Sequence, residues 1–347
     1  MHILVTGSGG LIGSECVLFF DKLGFSVVGV DNNMRADFFG PKGDTTWNTQ
    51  RLENTCSKFV HLDMDIRDRE AVMSTFSDSK FDMIVHAAAQ PSHDLAAKRP
   101  FDDFDVNAVG TLNLLEACRQ HSPDAIFIHM STNKVYGDGP NKIKLEELPT
   151  RWEYADPDYE LGIPEDFPVD HCLHSLFGAS KLAGDVMAQE YGRYFGLRTG
   201  IFRGGCLTGP NHAGVELHGF LNYLALVALK EGPYTIFGYK GKQVRDQIHS
   251  YDVVNLLWQF AQDPKPGEVY NLGGGKQNAA SLIECVDAIE KISGKRPALT
   301  YSEENRIGDH ICYYSDLTKI RAHFPEWELT YSLNEIIEEM ITQINAR

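Results

Sequence analysis

"HILVTGSGGLIG", residues 2–13, decides the fold. Residues 2–7 read as a buried strand, and residues 10–23 as a helix. Between them Gly7, Gly10 and Gly13 fall at three-residue spacing. Glycine there permits a tight turn and a close approach of backbone to a pyrophosphate, which rests on the positive end of a helix. A glycine cluster alone is often only a turn. Here it lies at the first strand–helix junction, and Asp31 closes the next strand, "FSVVGVD" (25–31). A carboxylate at that distance accepts hydrogen bonds from an adenosine ribose. The stretch therefore points to a bound dinucleotide, with Gly7, Gly10, Leu11, Ile12, Gly13, Asp31 and Asn32 as its nearest contacts.

Working outward, "KFVHLDMD" (58–65), "FDMIVHAAA" (81–89), "DAIFIHMS" (124–131) and "RTGIFRG" (198–204) continue the series of strands, with helical stretches between most of them. Repeated strand–helix–strand units predict an α/β fold: a Rossmann-type, doubly wound parallel sheet covered by helices on both faces. After residue 205 the rhythm loosens, returns at 246–274, and gives way to helices at 281–294 and 332–345. The expected division is a dinucleotide domain of 1–205 and 246–274, and a smaller C-terminal substrate domain of 206–245 and 275–347. The connection 138–170 is long and rich in Asp and Glu. Such a segment is either a solvated insertion or a lid over the site.

Composition narrows the partners. Asp and Glu number 48 against 32 Lys and Arg, a formal net charge of -16. Nucleic acid and anionic membranes both require a basic face, so neither is expected. A small phosphorylated substrate needs only a few local cations and stays open. The seven cysteines form no C-x-x-C pair, which suits reduced thiols in the cytoplasm and gives no metal site. No apolar run is long enough to span a bilayer, and the first strand starts at residue 2, so no signal peptide is expected.

Asp31 favours NAD over NADP, because a carboxylate repels a 2′-phosphate. Arg35 lies close enough in sequence to blur that preference, although it reads as a solvated loop cation. Asp65-Ile66 follows the third strand, where an adenine could be gripped.

The glycine spacing, "HAAAQ" (86–90), "NAVGT" (107–111) and "STNKVYG" (131–137) together resemble the extended short-chain dehydrogenase/reductase family over essentially the whole chain. Within it, "STNKVYG", the Ser-Lys end of "HSLFGASK" (174–181) and "YNLGGG" (270–275) are most similar to the CDP-tyvelose (CDP-paratose) 2-epimerases. The resemblance implies an NAD-dependent enzyme that oxidises one carbon of a nucleotide sugar and returns hydride to its other face, at C2 of a CDP-hexose. Another nucleotide-sugar epimerase, such as a 4-epimerase, stays open. A dehydratase of the family would carry Asp-Glu after Thr132, whereas Asn133-Lys134 follow here.

The same resemblance implies roles. Ala87, Ala88 and Ala89 would line the dinucleotide cleft with little bulk. Asn107 would support the active-site backbone. Ser131 would face the cofactor, and Lys181 would bind the nicotinamide ribose. Thr132 would bond the reacting hydroxyl. Gln90, Asn133, Phe177, Arg203 and Gly204 would contact the sugar, and Arg245 and Arg306 the substrate pyrophosphate, since a guanidinium forks onto two oxygens. A homodimer or homotetramer is expected, with 100–120 and 175–196 as a helical face.

One position departs from the pattern. The family's proton-handling tyrosine is replaced by Phe177, which has no proton to exchange. General acid–base help is worth about 10²–10⁴ in rate. On a helix, His174, Phe177 or Gly178, and Lys181 would form one stripe, so His174 is the expected replacement. His171, Lys134, Tyr136 and the acidic connection are alternatives. A non-catalytic NAD-binding sensor or scaffold is the competing reading.

Overall fold

The computed structural model describes residues 1–211, 219–304 and 309–346. The chain folds as two compact units. The first comprises Met1–Val135, Leu176–Arg203 and Val253–Tyr270; the second comprises Tyr136–Ser175, Gly204–Asp252 and Asn271–Arg347.

The first unit is organised by a seven-stranded sheet. From one edge the strands run Phe59–Leu62, Ser26–Val30, His2–Thr6, Met83–His86, Ile126–Thr132, Arg198–Gly204 and Glu268–Leu272. Chain order thus proceeds outward from His2–Thr6 to one edge, then resumes on its other side, the Rossmann arrangement. The pairings from Phe59–Leu62 through Ile126–Thr132 are parallel, in the register Leu4 with Val28 and Ile84. Parallel strands covered on both faces must be apolar throughout, and Met83–His86 is buried at every position. Leu4, Ile84, Phe127 and Ile201 of the sheet join Val72, Phe76, Leu114 and Ala188 of the helices in one core. His2–Thr6 and Met83–His86 lie side by side where the strand order reverses. Ligands of such sheets bind outside the carboxyl ends of strands at that place.

The second unit has its own core, in which helices Phe220–Leu229, Leu282–Ser293 and Leu333–Ala346 pack through Leu224, Val286 and Ile337. Ser281 caps Leu282–Ser293, and Glu284 reaches back to complete a capping box. Strand Val244–His249 pairs with Ala279–Ser281, Cys312–Tyr313 and Cys206–Thr208. Those pairings hold 246–252 in the second unit, whereas the strand–helix rhythm of the sequence predicts it in the first.

The acidic connection also belongs to the second unit. Leu145–Glu147 and Trp152–Tyr154 form a hairpin. Tyr154 is buried, its hydroxyl donating to the Cys312 carbonyl. Ile163 is buried and exchanges backbone hydrogen bonds with Tyr314 and Asp316. A segment stitched in this way is neither a solvated insertion nor a free lid.

Candidate active site

The glycine turn is shaped by backbone crowding. Gly7 takes φ +70°, and a Cβ there would lie 2.8 Å from the amide nitrogen of Ala88. A Cβ on Gly13 would lie 2.0 Å from the Gly7 carbonyl oxygen. Only glycine lets the turn fold onto both the first helical turn and the neighbouring strand end. Helix Leu11–Lys22 starts at Gly10 with no side-chain cap and no acid in its first turn. Its positive dipole end thus carries no acidic cap of the helix's own, which fits a pyrophosphate.

Asp31 is fixed beside this turn. It accepts from the Gly9 amide at 2.9 Å and the Asn33 amide at 2.8 Å. Asn32 accepts from the Met34 amide. Arg35 is not the solvated cation read from the sequence: it is half-buried, with its guanidinium 4.8 Å from the Phe39 ring centroid. Burial lowers it to about 10 while Asp31 opposes the shift, so it stays charged at neutral pH.

Asp65, expected beside the adenine, is paired with Arg67. Its carboxylate accepts the Arg67 guanidinium at 2.7 Å and the Arg67 amide at 2.8 Å, and Arg67 bridges on to Asp102 at 3.1 Å. Burial disfavours its charge, but the Arg67 hydrogen bonds outweigh that and lower its pKa. Ile66 is buried against Gly110, where a Cβ would come within 2.7 Å of it. Ala87, Ala88 and Ala89 are half-buried.

A buried hydrogen-bond chain ties this end to the next. The Ala88 amide donates to Thr6 Oγ1, which lies 2.8 Å from His86 Nδ1; His86 Nε2 lies 2.9 Å from Thr111 Oγ1. Thr111 gives its own proton to the Asn107 carbonyl. Thr111 must therefore accept from His86 Nε2–H, and His86 Nδ1 accepts from Thr6. Burial drives His86 down to about 3, with Lys181 adding to the effect, so it is neutral.

Asn107 sits in a π-helical turn, Asp105–Val109, a feature common at functional sites. Its side chain bonds the backbone of Gln90 in both directions, and reaches Asp103 and Ser180. Gln90, expected at the sugar, is instead turned inward. Its amide group donates to Asp103 Oδ1 at 2.6 Å and to the Ser92 carbonyl, while its oxygen accepts from the Ser92 amide at 2.6 Å. A side chain 1% exposed with these partners is a brace.

Strand Ile126–Thr132 and helix Ser175–Phe195 carry Ser131, Thr132 and Lys181. Lys181 is buried and its Nζ donates to the Met130 carbonyl at 2.7 Å. Burial lowers it to about 8, opposed by Asp185 and Asp103. Ser131 donates to Asp185 at 2.5 Å. Thr132 is half-buried and accepts from the Lys134 amide at 3.3 Å; Asn133 beside it is buried. Arg203, expected at the sugar, forks onto Asp185 instead, with both bonds at 3.0 Å.

His174 does not share a helical stripe with Lys181. The helix begins at Ser175, whose φ of 62° breaks continuity, so i, i+3 spacing does not apply. His174 Nε2 lies 2.7 Å from the Val169 carbonyl. A carbonyl only accepts, so Nε2 carries the proton. Phe177 is buried, and its ring meets the imidazole of His93 edge-on, centroids 4.9 Å apart at 60°.

In the second unit, Arg245 is half-buried and donates to Asp309 at 2.5 Å, and to the Val244 and His310 carbonyls. These bonds use three of the five donors of the guanidinium. Gly204 is buried, with Leu207 3.2 Å from where a Cβ would stand. Arg306 lies outside the described residues.

Residues 3–273 match the NAD dependent epimerase/dehydratase family. The chain belongs to that family. It is 32% identical to CDP-paratose 2-epimerase of Salmonella typhi, over 98% of each chain. It is 29% identical to dTDP-glucose 4,6-dehydratase 1 of Escherichia coli K12, over 92% of this chain and 86% of that one. Among solved structures, a Tyr-to-Phe mutant of Bacillus cereus UDP-glucuronic acid 4-epimerase, with UDP-4-deoxy-4-fluoro-glucuronic acid and NAD, superposes with TM-score 0.81 at 28% identity, covering 100% and 99% of the two chains. Thermus thermophilus UDP-glucose 4-epimerase with NAD gives 0.78 at 26%, covering 99% of each.

For a member of this family, two residues escape a reading of the sequence. Asp185 has no local motif; only its burial beneath Ser131 and Arg203 reveals it. His93 carries a usable signal. It opens helix His93–Lys98, which follows strand Met83–His86, and ligands of this fold gather at such strand ends.

Proposed function

We propose that this protein is an NAD-dependent nucleotide-sugar epimerase that acts at C2 of a CDP-hexose. One observation carries the reading: the end-to-end match to a 2-epimerase holds in a chain whose Lys181 lies under Met130, two residues before Thr132. Gly7, Gly10 and the amides of Leu11, Ile12 and Gly13 would hold the NAD pyrophosphate. Asp31 would accept from the adenosine ribose, and Lys181 would donate to the nicotinamide ribose. When bound, NAD takes up a hydrogen with its electron pair from a carbinol carbon and gives it back. Thr132 would orient the reacting hydroxyl by a hydrogen bond, and Arg245 would hold the substrate pyrophosphate. Asn133-Lys134 supply no carboxylic acid beside Thr132 to expel water, which supports epimerisation over dehydration.

The finer assignments belong to the same proposal. Phe101 and Tyr194 are 84% and 79% exposed on the helical face expected to form a homodimer, which sedimentation tests. The seven cysteines are free thiols, in keeping with the cytoplasm. Among the described residues no helix is long and apolar enough to cross a membrane.

The test is to incubate the NAD-loaded protein with CDP-paratose and, separately, with UDP-glucose, following each sugar by NMR. Interconversion at C2 is expected. Interconversion of UDP-glucose at C4 would move the assignment to a 4-epimerase. NAD binding with neither conversion would favour the sensor reading, which the absent phenol of Phe177 motivates.

A further inference from the structure

We propose that the imidazole of His93 replaces the missing phenol as the group that takes and returns the substrate's hydroxyl proton. The inference rests on the epimerase reading.

The first argument is position. Phe177 stands four residues before Lys181, where the resemblance places the tyrosine. The group in edge-on contact with its ring is His93, with centroids 4.9 Å apart. A base that replaces the phenol has to reach the space around that ring, and His93 already borders it. His93 is half-buried, so the imidazole is neither sealed in the core nor loose in solvent.

The second argument is anchorage. His93 opens the short helix His93–Lys98, capped by Ser92. Ser92 is locked to Gln90, Gln90 to Asp103 and Asn107, and Asn107 to Ser180 on the helix that carries Phe177 and Lys181. Ser180 in turn donates to the Phe177 carbonyl at 3.0 Å. A buried network thus links the backbone on both sides of the His93–Phe177 contact. It gives Gln90, too inward for the sugar, a reason to be there.

The third argument compares His93 with other titratable groups of this region. Lys181 Nζ is a donor to Met130. Both nitrogens of His86 are committed within the core, and His129 is wholly buried and pushed well below its ordinary range by burial. His174 precedes the helix that carries Phe177 and Lys181 and gives its Nε2–H to the Val169 carbonyl, so it does not share their stripe. A threonine hydroxyl is too weak a base.

The step balances. The substrate O–H bond breaks and an N–H bond forms on His93; the freed oxygen electron pair becomes the second bond of the carbonyl. The carbon's hydrogen and its electron pair pass to NAD, which the epimerase reading supplies. On return to the other face the N–H bond breaks and the O–H bond re-forms, so no proton is consumed over a cycle.

The experiment compares wild type, His93→Ala, His93→Gln and the double variant His93→Ala/Phe177→Tyr. Turnover of the C2 epimers should fall about 10²-fold or more in both single variants, with nucleotide-sugar affinity by calorimetry little changed. Free imidazole should restore His93→Ala in a saturating manner, and the double variant should regain turnover through the phenol. Independently of activity, the ring signal of isotope-labelled His93 should shift when CDP-paratose is added, and not when CDP alone is added. The signal is assigned by its absence in His93→Gln. Full activity in His93→Ala overturns the proposal. So does an inactive His93→Ala that neither imidazole nor the tyrosine restores, since His93 would then be structural. Should His93→Ala not fold, His93→Gln and the ring signal decide alone: an active His93→Gln or an unmoved signal overturns it. Inactive wild type with every sugar tested refutes the epimerase reading itself, a different failure.

Discussion

Arg203 lays its guanidinium across Asp185, Nε on one oxygen and Nη2 on the other, both at 3.0 Å, with the two side chains 6% and 0% exposed. Ser131 and Gln189 complete the carboxylate's shell at 2.5 and 2.6 Å. The pair fastens strand Arg198–Gly204 to helix Ser175–Phe195, and the helix in turn carries Lys181. Removing one partner of a buried pair leaves an uncompensated charge, at a cost of about 3–5 kcal/mol. Arg203→Met should therefore lower stability to urea by about that amount. If Arg203 were a sugar ligand, the variant would keep its stability and lose nucleotide-sugar affinity.

Asp31 should set cofactor choice. Its carboxylate is held by the Gly9 and Asn33 amides at the edge of the glycine turn, and its charge should oppose a 2′-phosphate. Wild type should bind NAD far more tightly than NADP. Asp31→Ala should narrow the gap, the more so because Arg35 stays charged nearby. Equal affinities in wild type, measured by calorimetry, would remove Asp31 from this part.

Arg245 should act on the substrate alone. A hydrogen bond to a charged group is worth about 1.5–3 kcal/mol, so Arg245→Ala should weaken nucleotide-sugar binding roughly ten- to a hundredfold. NAD affinity should not change. Because Arg245 also pairs with Asp309, the variant's thermal midpoint should be read alongside. Lost stability with unchanged sugar affinity would make the arginine purely structural.

The sheet was legible because its physics is local. Apolar runs and glycine spacing sufficed for the strand series and for the tight turn at Gly7, Gly10 and Gly13. The site was less legible, because partner choice is not local. Gln90 and Arg203 have the residue types of sugar ligands, and nothing near them in sequence announces Asp103 or Asp185 as their partners. The stripe through His174 failed for a local reason of another kind: Ser175 takes a positive φ that its residue type does not signal, so the helix starts one residue too late to include His174. The domain boundary at 246 failed because Val244–His249 reads as a Rossmann strand by composition but pairs with strands of the second unit.

Lys181 gives a test in which stability and function move in opposite directions with pH. Burial lowers its amine to about 8, against about 10.4 in an unfolded chain. Between those values the unfolded chain holds a proton that the folded protein has released. Stability contributed by this group therefore rises with pH across that window, and is flat below it. The gain is on the order of 2–3 kcal/mol. Binding should run the other way: Nζ must be charged to hold a ribose hydroxyl firmly, so NAD affinity should fall as pH passes through about 8. Lys181→Met removes the titrating group and keeps an apolar chain of similar length in the buried site. Its NAD affinity should be weak at every pH. Urea denaturation of both proteins at pH 7 and pH 10 isolates the stability effect: wild type should gain on the variant by the amount above. A difference that does not change with pH would mean that Lys181 keeps its proton throughout. The decline in NAD affinity would then need another cause.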